Sequence, residues 1–356
     1  MSCGLYRTIV GEIMKSNSRP KNRRSPVPRV ARMAVVAAGI LGALALFNAR
    51  RARSAERDHP PAGAFLDIED VRVHYVERGN GPPLVLLHGN GAMIQDFLIS
   101  GILDRLAERF RVIAIDRPGF GHTNRPSSRI WTAAKQAELV DKALARLEVE
   151  QAVVIGHSWG TLVALSLALD HPENVQALVL LAGYYFPTVR ADVLAFSISA
   201  APVIGDLLNC TIMPIIGRAL GPLVFRRIFA PSAVSPRFSA EFPTELALRP
   251  SQIKASATDT ELMALSAAAI AGRYGELRMP VVIMAGTHDQ IVDFERHARR
   301  LAEAVPGAIL LPFDDAGHMI HHLVPDKVVE AVNLAVAGSR KTEDRSALPD
   351  AQAGCC

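Results

Sequence analysis

From residue 60 onward, short runs of apolar and β-branched residues alternate with longer stretches of helical spacing. Residues 64–68 and 71–77 alternate polar with apolar positions and turn at Glu69-Asp70, which predicts two strands. The run PLVLL at 83–87 has no polar face, so it predicts a strand buried on both sides. Further strands are predicted over 111–115, 152–155 and 175–181, separated by helices over 102–109, 131–147 and 161–170. Strands alternating with helices imply a parallel sheet with helices on both faces.

The alternation breaks between residues 187 and 275, where apolar helical patches at 193–208, 212–229 and 262–271 have no strand among them. It resumes with a strand over 280–285, a helix over 294–305, a strand over 308–312 and a helix over 324–336. A helical insertion between strands of one sheet reads as a cap over the strand ends, where open α/β sheets bind ligands. The division is therefore a core of 58–186 and 276–338, a cap of 187–275 and a polar tail of 339–356 expected to be disordered.

The region before the core is different. Met33 to Phe47 reads MAVVAAGILGALALF without a charge, after Arg29 and Arg32 and before Arg50, Arg51 and Arg53. Fifteen helical residues span roughly 22 Å, short of the ~30 Å hydrocarbon layer, although flanking arginines can reach the interface. Residues 33–49 are thus a candidate transmembrane anchor or signal segment, and residues 1–32 a basic segment expected to be disordered. Ala43-Leu44-Ala45 has the small-residue pattern of a cleavage site but lies inside the apolar run, which favours an uncleaved anchor. Six basic residues from Arg19 to Arg32, against four from Arg50 to Arg57, lean toward a cytoplasmic N-terminus. The folded body would then be periplasmic or extracellular; a cytoplasmic body is the alternative.

Composition agrees with a folded protein. Of the 356 residues 49% are hydrophobic and 21% charged, which excludes a disordered chain. Four cysteines, three of them at the chain ends, exclude a disulfide framework. The net charge of +4 is carried by the leader: residues 1–57 hold twelve Lys or Arg against Glu12 and Glu56, leaving the body acidic. No basic folded face is implied, so nucleic acid is not an expected partner.

The chemistry gathers at strand ends. Gly156-His157-Ser158-Trp159-Gly160 follows a buried strand and opens a helix, the context of a nucleophile elbow. A serine there needs a base, and the base an orienting acid. Asp289 follows strand 280–285 through Gly286-Thr287-His288, and His318 follows strand 308–312 in Asp315-Ala316-Gly317-His318. The order Ser158, Asp289, His318 is the one this topology requires. His88-Gly89-Asn90-Gly91, after strand 83–87, offers main-chain donors for an oxyanion hole. The Asn90 N–H is the candidate, with Gly91 as alternative, together with the N–H of Trp159. His88, Tyr184 and Tyr185 are candidates for the substrate pocket. His288, His321 and His322 have no carboxylate or cysteine at ligand spacing, so no metal is expected.

These residues resemble the α/β-hydrolase fold family. HGNG (88–91), DRPGFGHT (116–123), GHSWG (156–160), HPENVQALVLL (171–181), GTHDQIV (286–292) and DAGH (315–318) match its landmarks across about residues 64–337. The resemblance implies a mostly parallel eight-stranded sheet, a triad of Ser158, Asp289 and His318, and no cofactor. Asn90 and Trp159 occupy positions that haloalkane dehalogenases use for halide binding. Those enzymes and the epoxide hydrolases carry an aspartate nucleophile where this chain has Ser158, which argues for acyl chemistry.

The expected function is a serine hydrolase, carboxylesterase or lipase-like, acting on a small apolar ester-like substrate because the cap is rich in Leu, Ile, Val and Ala. Alternatives on the same triad are a C–C bond hydrolase, an amidase or aminopeptidase, and a cofactor-free perhydrolase. A non-catalytic ligand-binding protein is the alternative from another class. The sequence leaves the oligomeric state open.

Overall fold

The computed structural model describes residues 29–188 and 198–346. Eight strands form one sheet: β1 (Ala64–Ile68), β2 (Val71–Arg78), β3 (Pro83–Leu87), β4 (Arg111–Ile115), β5 (Ala152–His157), β6 (Val175–Leu181), β7 (Val281–Gly286) and β8 (Ile309–Phe313). Their order is β1-β2-β4-β3-β5-β6-β7-β8. β2 pairs antiparallel with β1 and β4, and all remaining pairs are parallel.

The alternation of side chains fills two layers. Val85 and Leu87 point into one core with Trp131, Leu162 and Val163, while Leu84 and Leu86 point into the other with Phe97, Leu103 and Val332. This is the period of two that a strand buried on both faces must show. The chain leaves β3 toward β4 on one side and returns to β5 on the other. The carboxyl ends of β3 and β5 therefore flank the point where strand order reverses, and they open the crevice such sheets use for ligands.

The cap follows β6 as helices Ile204–Thr211, Met213–Phe229, Pro236–Glu241, Thr244–Ala247 and Pro250–Ala271. The last of these begins at Pro250, well before the apolar patch at 262–271, because its first turns bury polar side chains such as Gln252 and Asp259. The first part of the expected patch at 193–208 lies partly outside the described residues.

Two expectations of disorder are corrected in part, at residues 29–32 and 339–346. The final helix runs Pro325–Ser346, past the expected end at residue 338, and Ser339 is buried with its hydroxyl donating to Ala335 O at 3.1 Å. At the other end, helix Arg29–Asp58 takes in Arg29 to Arg32, since Arg and Ala are strong helix formers that extend the apolar run in both directions. Residues 1–28 and 347–356 lie outside the described residues. Helix Arg29–Asp58 has 30 residues and a mean hydropathy of 2.2 over its most apolar 18, long and apolar enough to cross a membrane. Its residues up to Ala43 form a unit of their own, whereas from Leu44 onward the chain belongs to the main body, with Asn48 and Ala55 buried.

Candidate active site

β5 delivers Ser158 into a sharp turn. The serine has φ +50°, a left-handed conformation that a non-glycine residue adopts at a cost, and its N–H is held by Leu181 O at 2.9 Å. The helix Gly160–Asp170 then starts at once beneath the strand ends. That closeness explains the flanking glycine: a Cβ on Gly160 would lie 2.2 Å from Leu87 O.

His318 comes to Ser158 from the loop after β8, and Asp289 from the loop after β7. The Ser158 hydroxyl lies 2.9 Å from His318 Nε2, and His318 Nδ1 donates to Asp289 Oδ2 at 2.7 Å. The other carboxylate oxygen accepts the N–H groups of Ile291 at 2.7 Å and Val292 at 3.0 Å. The three residues named from the sequence thus form one hydrogen-bonded chain, with Asp289 and the His318 ring buried. The His318 main chain is fixed too: its N–H donates to Ile228 O, at the end of cap helix Met213–Phe229, at 3.1 Å.

The loop after β3 presses on the nucleophile, since a Cβ on Gly89 would lie 3.1 Å from Ser158 Cβ. Gly91 takes φ +72°. The side chains of the two oxyanion candidates are committed elsewhere. Asn90 Nδ2 donates to Ser256 O and Thr260 Oγ1 at 3.1 and 2.9 Å, and Trp159 Nε1 donates to Asp259 O at 2.9 Å. All three acceptors lie on cap helix Pro250–Ala271.

The three pocket candidates are all buried in the interior. His88 is fully buried: its Nδ1 donates to Gly89 O at 2.8 Å and its Nε2 accepts the Arg117 N–H at 3.0 Å. It shapes the loop from inside, and burial, reinforced by the Arg117 charge, pushes its pKa down to about 4. Tyr184 and Tyr185 are buried in the core at the start of the cap, because an apolar ring after a strand end packs under the insertion. The Tyr184 hydroxyl meets Thr188 and the Tyr185 N–H donates to His297 Nδ1 at 3.0 Å. A cavity of about 740 Å³ lies away from the triad, between the loop 119–131 and Ser251, Lys254, Ala255 and Thr258.

A sequence profile of the family described as alpha/beta hydrolase fold matches residues 82–205. Haloalkane dehalogenase 2 of Mycobacterium tuberculosis is 27% identical over 285 residues, 77% of this chain and 94% of that protein. Among solved structures, the enol-lactonase from Burkholderia xenovorans LB400 superposes with a TM-score of 0.63 at 20% identity, covering 77% of this chain and all of that one. A bacterial membrane phospholipase A gives 0.61 at 19% identity, covering 94% of this chain and 99% of that one. At these identities the structural matches speak for the fold alone. This chain has the α/β-hydrolase fold. It is a hydrolase.

Two elements of this α/β-hydrolase were not named from its sequence. Arg117 is a buried clamp: its guanidinium donates to His88 O at 2.9 Å, Gly89 O at 3.1 Å and Asp259 Oδ2 at 2.6 Å. It draws the loop carbonyls to itself, while burial lowers its own pKa. Asp96, on helix Ile94–Ser100, supplies the carboxylate that local spacing had denied to the histidines. It meets His321 Nε2 at 2.9 Å and His322 Nε2 at 2.7 Å, and His157 Nδ1 lies 3.9 Å away. Burial would raise the Asp96 carboxyl, but donation from His321 and His322 holds it well below the usual range. This hub ties the helix after the oxyanion loop to the residues that flank Ser158 and His318. Both Arg117 and Asp96 work through partners far away in sequence: Arg117 lies within the DRPGFGHT landmark, which does not reveal its partners, and Asp96 lies in no motif.

Proposed function

We propose that this hydrolase cleaves an ester with an apolar acyl or alcohol group through an acyl-enzyme on Ser158. The observation that carries the reading is the hydrogen-bonded chain from Ser158 through His318 to Asp289. His318 Nε2 takes the hydroxyl proton as Ser158 attacks the carbonyl carbon, and returns it to the leaving alcohol. Asp289 keeps the Nδ1–H tautomer and stabilises the imidazolium. The main-chain N–H groups of Asn90 and Trp159 receive the oxyanion, each such donor contributing roughly 2.7–4 kcal/mol in the transition state. Water activated by His318 then releases the acid and restores the serine.

The likeness to a haloalkane dehalogenase raises a second reading, carbon–halogen cleavage. Against it stand the hydroxyl nucleophile at Ser158 and the engagement of Asn90 Nδ2 and Trp159 Nε1 by the cap helix. A halide would need both side-chain donors.

The body is held at a membrane by the apolar stretch within helix Arg29–Asp58. On the charge bias of its flanks it lies on the outer side.

The test is full-length protein in detergent, wild type and Ser158→Ala, assayed on p-nitrophenyl esters of increasing acyl length and with a serine-directed fluorophosphonate. Turnover and labelling that both vanish in Ser158→Ala support the reading. Labelling of Ser158 without turnover of any ester redirects the chemistry to amides or C–C bonds. A folded protein with neither overturns it.

A further inference from the structure

The outer surface of the first two cap helices has the wrong polarity for water. In Met213–Phe229 the exposed positions include Ile215, Ile216, Leu220, Leu223 and Val224, with no charged residue among the fully exposed ones until Arg226. The preceding helix, Ile204–Thr211, adds Ile204 and Leu207, each more than half exposed. A helix on a soluble surface turns its charged residues outward. Here the charges sit at the rim, with Asp206 paired to Lys254 at one end and Arg226 and Arg227 exposed at the other. The two helices meet at 63° and together pass the hydropathy test for a span, yet they have 8 and 17 residues and fold back on the cap. An apolar face with exposed basic residues at one end is a pattern of helices that lie in a membrane interface.

The middle and the far end of this face are each tied to another part of the chain. At the bend, the Asn48 side chain, just past the apolar run 33–47, donates to Cys210 O at 3.0 Å and Thr211 O at 2.7 Å and accepts from Arg218 at 3.0 Å. Arg218 and Arg51 share Glu245 beside it. The bend in the middle of the face therefore packs against Asn48, just past the apolar run. At the far end, Ile228 O accepts the N–H of His318.

We infer that the exposed faces of Ile204–Thr211 and Met213–Phe229 seat on a lipid bilayer and pass to Ser158 an ester drawn from it, one with a long acyl chain. The inference rests on the ester reading for its substrate and on the membrane anchor for its location. The occupant is lipid because the bend of the face packs against Asn48, just past the apolar run, and the exposed Arg226 and Arg227 at its far end suit anionic headgroups.

The test uses the full chain with Cys3, Cys210, Cys355 and Cys356 changed to Ser and single cysteines introduced as Leu207→Cys, Leu223→Cys, Val36→Cys or Lys327→Cys. Each carries an environment-sensitive fluorophore in vesicles of phosphatidylcholine and phosphatidylglycerol containing nitroxide lipids. Quenching at 207, 223 and 36 but not at 327 is expected. Quenching at 36 alone overturns the cap inference and leaves the anchor standing; none at 36 removes the anchor and the inference with it. Shielding at 207 and 223 without nitroxide quenching assigns the face to a second copy of the chain. In the activity arm, the double variant Leu207→Gln, Leu223→Gln keeps its rate on p-nitrophenyl acetate in detergent. It loses about tenfold on a long-chain ester embedded in vesicles. An equal loss on both substrates, or a loss on neither, overturns the delivery of substrate from the bilayer. If wild type turns over neither substrate, the ester reading has failed, and the quenching pattern still decides whether the face meets lipid.

Discussion

Arg117 and Asp259 form a buried ion pair at 2.6 Å across 142 residues of chain, one from the loop after β4 and the other from the cap. The same guanidinium holds the carbonyls of His88 and Gly89, so the pair joins the cap to the oxyanion loop. Asp259→Ala strands the Arg117 charge in the interior, and stability is expected to fall by about 3–5 kcal/mol. Urea unfolding of the two proteins measures it. The loop loses its brace as well, so kcat drops at a temperature where the variant is still folded.

Asp289→Asn tests the orienting carboxylate. An amide at this position can present a hydrogen to His318 Nδ1 and favour the wrong tautomer. The expected loss in kcat is roughly 10⁴-fold, with KM nearly unchanged. Thermal melting within a few degrees of wild type shows that the fold is intact, and a rate near wild type would remove Asp289 from the mechanism.

In the proposed mechanism the oxyanion donors are the main-chain N–H groups of Asn90 and Trp159, so their side chains are expected to be dispensable to the chemistry. Trp159→Phe removes the indole bond to Asp259 O but keeps the amide; Asn90→Ala removes two bonds to the cap helix. Each is expected to cost about 1 kcal/mol of stability per lost bond and less than about tenfold in kcat. Chloride or bromide added to the assay should leave ester turnover unchanged beyond an ionic-strength control. Competitive inhibition by halide, abolished in either variant, would revive the dehalogenase reading.

Acid should weaken this fold earlier than carboxylate titration alone would. The pKa of His88 is pushed from 6.5 to about 4 by burial and the Arg117 charge, and burial also lowers His157 and His321. Above pH 6.5 these rings are neutral in both the folded and unfolded states. Below it the unfolded rings take up protons that the folded ones refuse, so stability declines as pH falls toward 4. His88 alone accounts for about 3 kcal/mol of that decline. Melting temperature followed from pH 7.5 to 4 reads it out. His88→Gln can still donate to Gly89 O and accept from Arg117 N–H, and it should flatten part of the slope.

The sheet was legible in the sequence because its strands carry a period of two or are wholly apolar. The hydrogen-bonded arrangement of Ser158, His318 and Asp289 was legible because each follows a strand in the order this topology requires. What escaped notice shares a different physics. Helix Ile94–Ser100 has seven residues and no side-chain cap at Met93, so neither periodicity nor a start signal marks it. The first half of Pro250–Ala271 hides its burial behind polar residues, since Gln252 and Asp259 are buried through hydrogen bonds. Asp96 meets histidines more than two hundred residues away. Tyr184 and Tyr185 were pocket candidates from their place after a strand end at the entrance to the cap, and His88 from its loop after a strand, yet all three are buried. Polar ties of this kind depend on tertiary neighbours, and local pattern carries no trace of them.

The carbonyl of Ile228 gives the cap a fixed address on His318. Cap domains therefore cannot be exchanged between relatives as free modules to change substrate range. A transplanted cap must end its second helix with an acceptor at this point, and must leave room for the close pass of Gly317, where a Cβ would lie 1.9 Å from Ala230 O. A chimaera that matches the pocket but misplaces this one carbonyl would bind its new substrate and fail to turn it over.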